Sequence, residues 1–375
     1  MKIKFYIATL LALATSMGTR AQKVMDYGSP VGFPITLAGN FGEIRSNHFH
    51  SGIDIKALQG VGSPIYAVEE GYISRISVSP TGYGNMLMVT HPDGTHSLYG
   101  HLDGFVEPYS KYIEQEQLRA KRFKVDRYIS KGKFPVNKGD VIGYMGNTGS
   151  SGGPHLHLEF RDAASNAINP LTIGGYHVSD HISPSLFKVH IYQRDTIIMG
   201  VPIFAQAQTL EMELKNGTYT PKGAVPKISK PFYLAYEVID YKDGRSNTMG
   251  ITKMEQRVNG TQNFGFEIDK ISFSTTRYIN TFVQYDQNST ARFHVLRAYV
   301  SSNNLLGFYS GVRQRGLIAP MPTGETLNIR TSITDDNNNT SEIALDVLCQ
   351  EPSKKPLILS ETEKVAFSHM PFAYS

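Results

Sequence analysis

With 375 residues, 40% hydrophobic and 19% charged, the chain has material for two or three folded cores and too little charge for a disordered polymer. The formal charge of +4 includes Lys2, Lys4 and Arg20 within the first 21 residues, which hold no acid, so the remainder carries +1 and calls for no nucleic-acid partner. One cysteine, Cys349, excludes an internal disulfide; it sits in the apolar run IALDVLCQ as buried filler.

The chain opens as an export signal. Lys2 and Lys4 precede the apolar run Phe5–Thr15, and Thr19-Arg20-Ala21 offers a cleavage site before Gln22. That run is too short to span a bilayer. Residues 1–21 therefore read as a signal peptide. No cysteine near the cut suggests a lipid anchor, and no later stretch is long and apolar enough for an integral membrane segment.

From Ser29 to Gly175, short β-segments alternate with glycine turns. The expected strands are Ser63–Val68, Tyr72–Ser77, Asn85–His91, His96–Leu102, Asp140–Gly146 and His155–Arg161. Pro92-Asp93-Gly94 between apolar runs is a hairpin signal, because glycine supplies the positive φ. Residues 107–134 break this rhythm: few turn residues, with Ile113, Leu118 and Phe123 set among charges, predict a helix or helical pair inserted between strands. Seven basic residues stand against Asp126 between Arg119 and Lys133, which suits either a solvated face or contact with an anionic polymer. With Gly132 as the only glycine of the segment, a fixed wall beside a cleft is preferred to a hinged lid.

Beyond Gly175 a polar stretch with Pro184 leads into a second β-rich region. Strands are expected at Leu186–Gln193, Phe232–Tyr241, Gly250–Val258, Asn263–Phe273, Tyr278–Asp286, Arg292–Val300, Thr326–Thr334 and Ser341–Gln350. Irregular spacing without helical period suggests one or two Ig-like β-sandwich modules over 185–350, followed by a weakly structured tail over 351–375.

The residues able to do chemistry lie in the first region. His50 and Asp54 form H-x-x-x-D, and His155 and His157 form H-x-H, with His48-Phe49-His50 as a rival. Taken singly, each histidine is more often structural or solvated than a ligand. On a strand, however, His155, His157 and Glu159 share one face while Leu156, Leu158 and Phe160 share the other. The apolar face belongs to a core, which leaves the imidazoles facing a cleft. Two imidazole nitrogens and a carboxylate oxygen suit Zn²⁺ and leave a fourth position open. Such a site activates water for amide hydrolysis, and His101 and His155 are candidates for a free imidazole beside it.

Five segments carry a resemblance to a known family: GNFGEIRSNHFHSGIDIKA, GYGNMLMVTHPDG, SLYGHL, VNKGDVIGYMGNTG and SSGGPHLHLEF. In this order, ending with Asn169-Pro170, they resemble the lysostaphin-type (LytM-like) zinc peptidoglycan endopeptidases over about residues 36–172. The resemblance implies His50, Asp54 and His157 as zinc ligands, with His101 and His155 as non-ligand active-site histidines. His48 matches no ligand position, and Glu159 could orient a ligand imidazole or be a plain surface carboxylate.

The expectation is therefore an all-β chain with a small helical insertion. An antiparallel metallopeptidase domain over 24–180 would precede the Ig-like region. Its function would be hydrolysis of peptidoglycan stem-peptide cross-links, most naturally D-alanyl–diaminopimelate bonds, in the periplasm or cell envelope. The competing expectation is a non-catalytic peptidoglycan-binding or hydrolase-activating module.

Overall fold

Alternating apolar residues and glycine turns build two β-regions in the computed structural model, which describes residues 26–244, 246–288 and 293–351. The expected signal peptide, and the tail apart from Glu351, lie outside these described residues.

In the first region an antiparallel sheet runs in the order Leu37–Gly39, Ile53–Lys56, His155–Arg161, His96–Leu102, Asn85–Thr90, Gly71–Val78, Val125–Tyr128. Its core face is the one the period-two pattern predicts: Leu156, Leu158 and Phe160 are fully buried, as are Ile53 and Ile55 on the neighbouring strand. A smaller sheet of Pro64–Tyr66, Val141–Tyr144 and Gly104–Phe105 closes one end.

The insertion forms one helix, Tyr109–Ala120, ended by Lys121 in the left-handed conformation at φ 48°. It does not continue as a second helix. Val125–Tyr128 returns as a strand pairing with Gly71–Val78, because that strand would otherwise present an open edge. Tyr109 and Ile113 enter the core, and Tyr109 and Tyr112 meet the Phe134 ring edge-on. Arg127 and Arg119 both pair with the buried Glu116 carboxylate, and Arg75 pairs with Asp126 at 2.7 Å, so part of the basic run is engaged internally.

Residues 185–350 contain a sheet whose spine is a long hairpin, Ser185–Ile198 with Val201–Lys215. From it the order runs through Thr218–Pro221, Thr340–Cys349, Thr326–Thr334 and Lys253–Val258 to Thr261–Glu267 on one side, and to Phe232–Tyr241 on the other. Two expectations fail here. The strand Val201–Lys215 is not among the expected strands: its strand-favouring residues cluster at Val201, Ile203 and Phe204, and pairing with Ser185–Ile198 carries the conformation through the Ala, Gln and Glu positions that follow. Tyr278–Asp286 is not a strand but parts of three short helical turns, Thr276–Tyr278, Ile279–Phe282 and Tyr285–Asn288.

The two regions share one continuous apolar core. Phe49 packs edge-on against Phe282 and Phe308, with ring centroids 5.6 and 5.4 Å apart, and its N–H donates to Thr276 Oγ1 at 3.1 Å. Asn40 exchanges two hydrogen bonds with Gly250, at 2.8 and 2.9 Å, and Ala167 pairs with Ile271 across strands.

Candidate metal centre

The strand Ile53–Lys56 lies beside His155–Arg161 with Asp54 opposite His157, so two residues 103 positions apart become cross-strand neighbours. His50 stands just before the first of these strands, its backbone N–H donating to the Glu43 carbonyl at 2.8 Å. His50 Nε2, Asp54 Oδ1 and His157 Nδ1 form a triangle with sides of 3.0, 2.9 and 3.0 Å. All three residues are buried.

The outer atoms of the triangle settle which nitrogens face inward. His50 Nδ1–H donates to the Asn40 carbonyl at 2.7 Å, leaving Nε2 bare. His157 Nε2 lies 3.3 Å from Glu159 Oε2, so its proton belongs on that side and Nδ1 is bare. Glu159 is itself fixed by hydroxyl donors from Ser51 and Tyr83, each at 2.7 Å, and by Arg161. The Arg45 guanidinium takes the other oxygen of Asp54, leaving Oδ1 to the triangle.

Three lone pairs thus point at one another about an ordinary hydrogen-bond length apart. That arrangement is repulsive unless a proton or a cation lies among them. Tetrahedral zinc with bonds of about 2.0–2.2 Å separates its ligand atoms by about 3.3–3.6 Å, so a slight opening of this triangle accommodates the ion. The donor set of two imidazoles and a carboxylate fits zinc.

The electrostatics agree. Burial draws His50 down to about 4, so its imidazole is neutral and able to ligate. Burial also acts on His157, but hydrogen bonds to Asp54 and Glu159 outweigh it and lift the group to about 9. Burial would raise Asp54, yet His50, His155 and His157 hold it well below the usual carboxylate range. The site therefore attracts positive charge, which a proton on His157 supplies until a metal displaces it.

Two more imidazoles border the triangle. His101, at φ 61°, donates from Nδ1 to the Thr148 carbonyl at 2.8 Å, and burial draws it down to about 4. The loop carrying Thr148 is held by glycine-on-glycine packing: a Cβ on Gly149 would lie 2.3 Å from the Gly84 nitrogen. His155 Nδ1–H donates to the Gly153 carbonyl at 2.8 Å; its Nε2 meets no hydrogen-bond partner among the described residues and faces Asp54 Oδ1 at 3.5 Å. The His101 and His155 rings lie 4.7 Å apart. Both present a bare Nε2.

His48 is exposed, with its ring on the Ser46 carbonyl, and takes no part. Sequence reasoning overlooked Arg45, Tyr83, Ser51 and Asn40. None lies in a motif with metal-ligand spacing, and the only signal was position within the conspicuous segments. A C-terminal residue also reaches this neighbourhood: the Arg161 guanidinium lies 4.5 Å over the Phe273 ring.

The similarities to known proteins fall on this region. The chain is 34% identical over 124 residues to the DD-carboxypeptidase/endopeptidase Mpg of Neisseria meningitidis, covering 33% of this chain and 22% of that protein. It is 30% identical over 141 residues to the lysostaphin of Staphylococcus simulans, covering 37% of this chain and 22% of that one. The chain therefore spans about a fifth of the length of these two relatives. Lipoprotein NlpD of Yersinia enterocolitica is 30% identical over 110 residues, 29% of this chain and 88% of that protein. Residues 48–121 and 120–170 match the description Peptidase family M23. With the matched stretches enclosing every side chain of the triangle and both bordering imidazoles, the chain belongs to peptidase family M23.

Proposed function

We propose that the protein is an exported zinc metalloendopeptidase that hydrolyses peptide bonds in peptidoglycan cross-links. The observation that carries this reading is the triangle of bare donor atoms flanked by two bare imidazole nitrogens. His50, Asp54 and His157 would hold the ion, which when bound supplies a Lewis acid that polarises a carbonyl and acidifies water.

The chain's own residues account for the remaining tasks. Glu159 and Asn40 keep His157 and His50 in the tautomers that leave inward lone pairs. One of His101 and His155, each anchored through Nδ1–H, accepts at Nε2 a proton from the attacking water. Once protonated, that nitrogen donates to the oxygen on which charge develops at the tetrahedral stage, then gives the proton to the leaving amine as the C–N bond breaks. Burial keeps His101 neutral beforehand, so it begins as an acceptor.

Relatives named as an endopeptidase and as lysostaphin support a cell-wall peptide substrate, and the signal-like leader supports export to the periplasm or envelope. A D-alanyl–diaminopimelate bond is the substrate we favour. The helix Tyr109–Ala120, anchored by Tyr109 and Ile113, supports a fixed wall over a hinged lid. It borders a groove of about 560 Å³ that also touches Asn85 and Thr148 beside the site. The test is zinc quantification in the purified protein, with mass analysis of muropeptides before and after incubation. Bound zinc with loss of cross-linked muropeptides is the expected result. Intact cross-links would turn the reading to a non-catalytic wall-binding module.

A further inference from the structure

A second buried cluster of ligand-capable groups lies in the C-terminal half. Asp180 follows the short helix Pro170–Gly174, Asp240 is the penultimate residue of the strand Phe232–Tyr241, and Asp335 opens the loop between Thr326–Thr334 and Thr340–Cys349. A carboxylate oxygen from each lies within 4.8 Å of the others, although the three residues are only 6%, 0% and 2% exposed. A fourth buried carboxylate, Asp336, stands beside them.

Against these four groups, among the described residues, the cation that pairs with the cluster is Lys242. Its ammonium lies 3.1 Å from Asp180 Oδ2, 3.9 Å from Asp335 Oδ2 and 2.6 Å from Asn337 Oδ1, and it also pairs with Asp336 Oδ1. Asn339 Nδ2 donates to Asp335 Oδ2 at 2.9 Å and to Asp180 Oδ2 at 3.3 Å. The N–H groups of Asn337 and Asn339 each donate to Asp335 Oδ1 at 2.8 Å, and that of Ile182 to Asp180 Oδ1 at 3.1 Å.

Asp180 and Asp335 are thus oriented by protein donors. Asp240 is not: fully buried, it has no hydrogen-bond partner on either oxygen among the described residues, and Asp336 Oδ2 has none among them either. Burial and then the neighbouring Asp335 push the Asp240 carboxyl up to about 8, which reflects positive charge in short supply. One proton could neutralise Asp240 but would still leave its second oxygen bare. A cation bound by both oxygens satisfies them together.

We propose that Asp180, Asp240 and Asp335 form a structural Ca²⁺ site. Every donor is oxygen, which selects a hard cation; a zinc site would offer imidazole or thiolate. Calcium also accepts bidentate carboxylates and irregular geometry, whereas magnesium demands a near-ideal octahedron and keeps its waters. The ion would tie the segment leaving the first region to the end of Phe232–Tyr241 and to the hairpin tip. This assignment does not depend on the proposed peptidase activity.

The experiment uses the full chain, stripped with EDTA, dialysed free of chelator and followed by thermal unfolding. Adding CaCl₂ to about 1 mM is expected to raise Tm by about 5 °C. Isothermal titration with CaCl₂ is expected to show one equivalent per chain beyond zinc. Asp240→Asn should abolish the calcium-dependent rise while zinc uptake stays unchanged. The assignment is overturned if the native chain shows no rise, if Asp240→Asn retains it, or if NaCl of matched ionic strength or equimolar MgCl₂ reproduces it. Should the variant fail to fold, titration of the native chain decides: one equivalent supports the site, and none removes it.

Discussion

Two buried constellations in this molecule each bring three metal-ligating side chains together, and they differ in how their polar atoms are satisfied. In the His50–Asp54–His157 triangle every outer atom already has a partner: Asn40 behind one imidazole, Glu159 behind the other, Arg45 behind the carboxylate. Only the inward lone pairs remain. In the Asp180–Asp240–Asp335 cluster the orienting donors reach two carboxylates and, among the described residues, leave the third bare, with Lys242 as the cation that pairs with them. The contrast shows that a metal site is recognised less by how many ligands converge than by what lies behind them. Preset tautomers point to a borderline metal that does chemistry, and an all-oxygen pocket with excess negative charge points to a hard ion that holds structure.

The largest expected effect breaks the first constellation alone. His157→Ala should remove zinc, measured by elemental analysis, and reduce muropeptide cleavage to background, while the calcium response of the distant cluster persists. Loss of both responses would mean that the two sites are one folding unit, and the contrast between chemistry and structure would fall.

Next in size, Lys242→Met should lower stability by about 3–5 kcal/mol in calcium-free buffer, because four buried carboxylates lose their cation. Denaturant unfolding checks this. Calcium should restore more stability to the variant than to the native chain, and equal restoration would argue against a shared electrostatic pocket.

His101→Ala and His155→Ala should each keep zinc and lower kcat by about 100-fold or more, as for loss of a group acting on the developing charge. Metal loss equal to that of His157→Ala would show that the roles had been divided wrongly. Glu159→Gln, which weakens the hold on the outer nitrogen of His157, should cost about 10–100-fold in zinc affinity in a chelator competition. An unchanged affinity would remove the argument that preset tautomers mark the first site.

The smallest effect concerns the insertion. Lys121, Arg122 and Lys124 are exposed and take no part in the Glu116 ion pairs that engage Arg127 and Arg119. Reversing these three charges should weaken binding to intact murein by roughly threefold at low salt, with kcat on a small peptide unchanged. Faster cleavage in the variant would indicate a lid.

Much of the first region was legible because its signals are local. Strand period places Leu156, Leu158 and Phe160 opposite His155 and His157, and glycine turns mark strand ends within a residue or two, as at His96–Leu102 and His155–Arg161. The second region was harder. Val201–Lys215 has weak strand propensity past Phe204, and Tyr278–Asp286 has it without forming a strand, because partners distant in sequence decide both.

By itself, then, the sequence determined the residue types and spacings of the two histidine motifs, the β-rich class and the place of the insertion. These depend on side-chain period and turn chemistry, which act over a few residues. Only the tertiary structure decided that Asp54 meets His157, that Arg45, Tyr83 and Asn40 stand behind the site, and that Phe49, next to His50, packs against Phe282 and Phe308. It alone brought Asp180, Asp240 and Asp335 together, since no local pattern links carboxylates 60 and 95 residues apart. Contacts of that range depend on how a shared core packs, and no window of sequence contains that information.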